Sequence, residues 1–156
     1  MDYHLAQVNI ARMRTAPSDP VMSKLVDRID EMNQLAENSS GFVWRLPGAQ
    51  ATPEALRVLK TYFTPFEPER LFYNMSVWET VEDLKNYVYR TNHIEMLREQ
   101  QAWMTHFEKP QLALWWISAG ATPSIQDSAT RLLSLHQNGP TPHAFNFKQL
   151  FPRPID

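Results

Sequence analysis

The sequence has no cysteine and only 4 glycines in 156 residues, and these scarcities close several routes at once. Without cysteine there is no disulfide framework, no thiolate nucleophile and no cysteine-ligated zinc or iron–sulfur site. No Walker loop, GxGxxG or GxSxG elbow is present, so nucleotide binding and the usual serine-hydrolase site lack support. No apolar run approaches the roughly 20 residues that span a bilayer. The opening Met1-Asp2-Tyr3-His4 lacks a basic region followed by an apolar stretch. The expectation is a soluble, cytoplasmic protein with no membrane partner. Charge of one sign is also lacking: 15 basic against 17 acidic residues give −2, which supplies no field for a polyanion, so nucleic acid is not expected as a partner. His4, His93, His106, His136 and His143 form no HExxH, no His-x-His and no 2-His-1-carboxylate spacing, so neither a metal nor a cofactor is expected.

Apolar and aromatic side chains are plentiful, at 43% and 12% of the chain. A chain of this length buries roughly two thirds of its unfolded surface, so residues 1–156 read as one domain, with a core over about 3–120 and a C-terminal helix and tail over 121–156. Tyr3 to Ile10 reads as a strand with Gln7 and Asn9 on one side. Ser18 caps a helix that carries Met22, Leu25, Val26, Ile29, Met32 and Leu35 at helical spacing and stops at Asn38-Ser39-Ser40-Gly41. Gly41 to Leu46 is a short second strand. The 49–70 stretch holds a short helix capped by Thr52 and Pro53, with Leu56, Leu59 and Phe63, before a proline-broken segment.

Leu71 to Trp78 alternates, with Phe72, Asn74, Ser76 and Trp78 on one side and Tyr73, Met75 and Val77 on the other. Thr80 and Asp83 resemble a capping box that opens a helix through Leu84 and Val88. A continuation with His93, Leu97, Gln100, Met104 and Phe107 on one face follows. LALWWI is a nearly continuous apolar strand, the pattern of one buried on both faces. A last helix from Thr122-Pro123 turns Ile125, Ala129, Leu132 and Leu133 inward and ends at Asn138-Gly139-Pro140, before an irregular tail.

The order strand, helix, strand, strand, helix, strand is that of an α+β, ferredoxin-like βαββαβ unit with a four-stranded antiparallel sheet and helices on one face. The other face would then need a cover. Trp44 or Trp116, with Asn9, Asn74, Ser76 and Trp78, makes it too apolar to stay wet and too polar for a dry core. A second copy of the chain, enclosing a cavity between two sheets, would satisfy both demands, so a homodimer is expected.

The strings NMSVWETVEDLKNYVYRTNH, ALWWISAG and RLLSLHQNGPTPHAFNF, in this order, resemble the bacterial family known as domain of unknown function 3291. The resemblance runs from about Tyr3 to Pro152. More widely the chain is similar to dimeric α+β barrels of the antibiotic-biosynthesis-monooxygenase type, whose members include cofactor-independent monooxygenases, haem-degrading enzymes and isomerases. The haem-degrading pattern, as the resemblance implies it, keeps an Asn such as Asn9 but places Trp at the position of Tyr87 and His at that of Leu97, and the chain departs from it at both.

His93, at the start of a helix segment, stands where the helix dipole favours a neutral imidazole able to give or take a proton. Tyr89 precedes it by one helical turn. The alternative is a structural histidine bonded to a strand. Gln7, Asn9, Asn74 and Ser76 are neutral donors and acceptors on the two central strands, suited to polarising a carbonyl or holding an enolate-like intermediate, or else to a satisfied polar network. Trp78 and Trp116 are candidate apolar walls, and Arg45 a candidate carboxylate partner or surface ion pair. The reading is a small-molecule enzyme of monooxygenase-like type, acting by proton transfer or cofactor-independent oxygenation on a small aromatic or polyketide-like substrate. His93, Asn9 and Asn74 are its catalytic residues, and Gln7, Arg45, Ser76, Trp78, Tyr89 and Trp116 bind substrate. A non-catalytic binder, of haem among other molecules, and a purely structural dimer are the alternatives.

Overall fold

The computed structural model describes residues 2–16, 18–47, 53–60, 62, 70–91, 103–105 and 108–155. Its elements are β1 (Tyr3–Met13), α1 (Ser23–Glu37), β2 (Phe42–Arg45), α2 (Pro53–Leu59), β3 (Leu71–Trp78), α3 (Val81–Thr91), β4 (Met104–Thr105), β5 (Leu112–Ser118) and α4 (Ile125–Asn138). The sheet is antiparallel and runs β2-β3-β1, with β5 and the two-residue β4 sharing the far edge of β1. This is the expected ferredoxin-like α+β architecture, with β1 and β3 at its centre.

Register fixes what shares a face. Leu5, Gln7, Asn9 and Ala11 of β1 lie opposite Trp78, Ser76, Asn74 and Phe72 of β3, and Leu5 also lies opposite Trp116 of β5. On this side Leu5, Trp78 and Leu114 pack with Ala36 of α1 and Leu84 of α3, while Ala11, Met13 and Phe72 pack with Leu25 and Ile29 of α1. The polar strand residues therefore face the helix pair α1 and α3. On the opposite side Ala6, Val8, Ile10, Tyr73, Met75, Val77 and Trp115 pack against Leu59 of α2 and Ile125, Leu132 and Leu135 of α4.

This corrects the expected arrangement of faces. The polar and tryptophan-bearing side is not a bare one, and the second side is covered by the chain's own α2 and α4. Among the described residues both faces carry helices, so the physical reason for invoking a second copy, an uncovered sheet, is not met. Helices on both sides also account for the unbroken apolar run of β5, where Ala113, Leu114 and Trp115 are all fully buried.

Local chemistry explains the element ends. Asp19, not Ser18, caps the chain's entry into this helical region, accepting from the Val21 N–H at the head of a 3-10 turn over Pro20–Met22, and α1 starts after it. Thr80 Oγ1 accepts from the Asp83 N–H at 3.1 Å, capping α3. The turn into β2 needs Gly41, which has φ +79° and lies so close to the Asp83 carboxylate that any Cβ would collide with it. A full capping box joins Ser124 and Asp127 at the start of α4.

Three expectations fail in detail. Met104 pairs with Met13 in β4 instead of continuing a helix. Leu133 is exposed and Leu135 is buried in its place. The tail is anchored: Phe145 is fully buried and exchanges backbone hydrogen bonds with Leu114 at 2.8 and 2.9 Å. The Thr52 cap, Phe63 and the helical continuation from Asn92 to Gln100 lie outside the described residues. No described helix is long and apolar enough to cross a membrane.

Candidate functional site

Polar side chains with few exposed atoms survive in a protein interior when they satisfy one another. Under α1 and α3 they do so in a chain. The Trp78 indole Nε1 donates to Ser76 Oγ at 2.9 Å, Gln7 Nε2 donates to Ser76 Oγ at 2.7 Å, and the same nitrogen donates to Asn74 Oδ1 at 2.8 Å. Gln7 and Ser76 are only 5% and 4% exposed, so these bonds form in a largely desolvated layer.

Aromatic packing fixes the head of this chain. The Trp78 ring stacks on Tyr87 of α3 with centroids 5.0 Å apart and meets Phe42 edge-on at 5.6 Å. Tyr87 donates its hydroxyl to the Met32 carbonyl of α1 at 3.1 Å, tying the two helices together over the sheet. Burial pushes the Tyr87 phenol up to about 12, against a smaller opposing pull from the Arg45 cation, so it stays protonated.

Arg45 reaches this face through a register irregularity. In a regular strand it would share a side with Val43, but the ladder shifts between Phe42 and Trp44, which sets Arg45 opposite Ser76 and Trp44 opposite Val77. Its Nε donates to Glu37 Oε1 at 2.7 Å and its Nη1 to the Leu46 carbonyl at 3.4 Å. Trp44 accordingly packs on the α2 and α4 side.

These groups border a cleft whose walls are Ile29, Met32, Asn33 and Ala36 of α1, Arg45 and Leu46, Phe72, Asn74, Met75 and Ser76 of β3, and Tyr87 of α3. Its cavity volume is about 20 Å³, room for a single water-sized group. Among the described residues no group of three or more His, Asp or Glu is placed to hold a metal ion.

The structure thus brings Gln7, Asn74, Ser76, Trp78 and Arg45 together. Asn9 is Asn74's neighbour across the ladder, half-buried, and its side chain has no hydrogen-bond partner among the described residues. Tyr89 is 83% exposed, because two residues along a helix is about 200° of rotation and Tyr87 takes the inward position. Trp116 belongs elsewhere: its Nε1 donates to the Phe151 carbonyl at 2.9 Å and its ring lies under Arg153, in a separate groove shared with Thr80 and Glu82. His93 lies outside the described residues. Tyr87, Met32 and Asn33 were not among the expected site residues, although the Leu84, Tyr87, Val88 spacing marks the inward stripe of α3.

Comparison with solved structures returns SnoaB, a cofactor-independent oxygenase from Streptomyces nogalater, with a TM-score of 0.46 and 12% identity over 76% of this chain and 95% of that one. PA3566 from Pseudomonas aeruginosa matches with a TM-score of 0.45 and 11% identity, covering 78% of this chain and 98% of that one. A Chloroflexus aurantiacus protein assigned to the antibiotic biosynthesis monooxygenases gives 0.43 and 11%, with the same 78% and 98% coverage. No curated protein matches the sequence. The family model described as domain of unknown function (DUF3291) matches residues 4–156, and the chain belongs to that family.

Proposed function

We propose that the cleft between the sheet and helices α1 and α3 admits one oxygen atom of a small organic molecule, the rest of which lies at the cleft mouth, and stabilises negative charge on that oxygen. Proton transfer beside a carbonyl and cofactor-independent oxygenation share this task, since in both a carbon acid loses a proton and leaves charge on the neighbouring oxygen. The observation that carries the reading is the direction of the hydrogen bonds. Ser76 Oγ accepts from both Gln7 and Trp78, and Asn74 Oδ1 accepts from Gln7. What is left at the cleft wall is the Ser76 O–H and the Asn74 Nδ2 hydrogens, donors without acceptors.

Those donors stand beside Ile29, Met32 and Phe72, and a hydrogen bond to an anion in such surroundings is stronger than in water. In this reading Asn74 and Ser76 meet the developing oxyanion, Asn9 supports them, Gln7 and Trp78 hold their orientation, and His93 is the general acid or base. One observation favours a second reading, binding without turnover: the described cleft wall carries no His, Asp or Glu to act as a base, and burial holds the Tyr87 phenol protonated.

Titration of 4-nitrophenol in the presence of excess protein tests the site, because its phenolate absorbs in the visible. The bound phenol should ionise at lower pH than the free one, and Ser76→Ala or Asn74→Leu should return it to the free value. A bound phenol that ionises at higher pH, or one indifferent to both substitutions, contradicts the proposal. Exchange of a bound ketone's α-hydrogens with deuterated water, lost in His93→Ala, separates turnover from binding.

A further inference from the structure

Resting on that reading, we propose that the molecule taken by the cleft is an organic carboxylate, and that Glu37 occupies its place on Arg45 until it arrives. Glu37 is the last residue of α1, where the negative end of the helix dipole disfavours a carboxylate. It touches Arg45 through one oxygen on one nitrogen, with side chains 47% and 26% exposed, the geometry of a weak and exchangeable surface pair.

The guanidinium meanwhile has capacity to spare. Nε serves Glu37 and Nη1 the Leu46 carbonyl at 3.4 Å, while Nη2 has no partner among the described residues. A planar fork of this kind binds a carboxylate best through two parallel bonds, which Glu37 does not make. The described cleft wall carries one cation and no carboxylate, so an arriving anion meets charge that, among the described residues, Glu37 offsets from the rim. Arg45 lies opposite Ser76 across the ladder, close enough for one small molecule to span both. The ligand class that fits is an acid with a second oxygen a few bonds from the carboxylate, a 2-hydroxy or 2-oxo type, whose one oxygen enters the water-sized cavity while the rest of the molecule lies at its mouth.

Salicylate and salicylamide, equal in shape and different in charge, test this by side-chain amide and guanidinium NMR on the full-length protein. The proposal expects salicylate to bind at least tenfold tighter than salicylamide. Glu37→Gln should tighten salicylate at least threefold and leave salicylamide unchanged, and Arg45→Gln should erase the preference. Equal binding of the two probes, or a Glu37→Gln variant that binds salicylate no better, overturns it. Should Arg45→Gln fail to fold, the wild-type and Glu37→Gln comparisons decide alone. If salicylamide shifts the Asn74 and Gln7 signals as strongly as salicylate does, the oxygen site stands and the carboxylate proposal falls. If neither probe shifts them, both fall.

Discussion

Two helix layers enclose one sheet, and the sheet meets them with different chemistry. Beneath α2 and α4 lie Ala6, Val8, Ile10, Met75, Val77, Ala113 and Trp115, and polar contacts there, such as Tyr73 to Ser128 at 2.7 Å and Tyr62 to the Pro110 carbonyl at 2.7 Å, lie at the border between sheet, helix and loop and form no row along the central strands. Beneath α1 and α3 the same strands present Gln7, Asn9, Asn74 and Ser76 in adjacent rows. Hydrophobic burial is the main favourable term in folding, so the first face is organised as folding alone requires. The second is not: apolar side chains in place of Gln7, Asn74, Ser76 and the Trp78 N–H together would serve stability as well, because a satisfied buried polar network is often no better than an apolar core of the same shape. This difference supports the proposed site on the α1 and α3 side.

The comparison can be broken most forcefully on the dry side. Trp115→Ala removes a fully buried ring and should cost about 3–5 kcal/mol, measured by urea denaturation, while leaving 4-nitrophenol binding at the wild-type level. An equal loss of binding would mean the two faces do not act independently. A smaller effect is expected on the wet side from Gln7→Leu, which strips Ser76 and Asn74 of a shared partner and should cost about 1–3 kcal/mol, together with a weaker probe shift.

Tyr87→Phe should be smaller still near neutral pH, about 1 kcal/mol for the lost bond to Met32, and its signature is alkaline. The folded-state phenol is raised from 10.0 to about 12, so between those values the unfolded chain holds fewer protons than the folded one. Stability from this group is therefore complete below pH 10 and is lost as pH rises through 12. Tyr87→Phe should flatten the fall in stability across that interval, read from urea midpoints, and an unchanged slope would contradict the assignment of a buried, neutral phenol.

Much of the fold was legible because alternation is a local signal. Leu71–Trp78 stands as a strand with the bounds its pattern predicts, and the apolar run at Ala113–Trp115 correctly indicated cover on both sides. Alternation says which residues share a face, however, and not which helices lie over it. Alternation groups Gln7, Asn74 and Ser76 on one side, but it does not show that this side lies under α1 and α3, nor that Ile125, Leu132 and Leu135 of α4 complete a core on the other. Trp44, expected on the polar side as the alternative to Trp116, is turned to the other side by a register shift that leaves no mark in composition, and the same shift brings Arg45 to the polar side. Spacing to His93 points to Tyr89, whereas the phase set by Leu84 selects Tyr87.

The central claim is that the polar network is kept for binding and not for stability, and the triple variant Gln7→Leu, Asn74→Leu, Ser76→Ala tests it most directly when urea denaturation and 4-nitrophenol titration are run on the same sample. The account predicts a folded protein that loses no more than about 1–3 kcal/mol, owed to the buried Trp78 N–H left without its Ser76 acceptor, and that no longer lowers the pH at which the phenol ionises. A variant that is markedly destabilised, alongside a wild-type protein that never shifts the phenol, would contradict it.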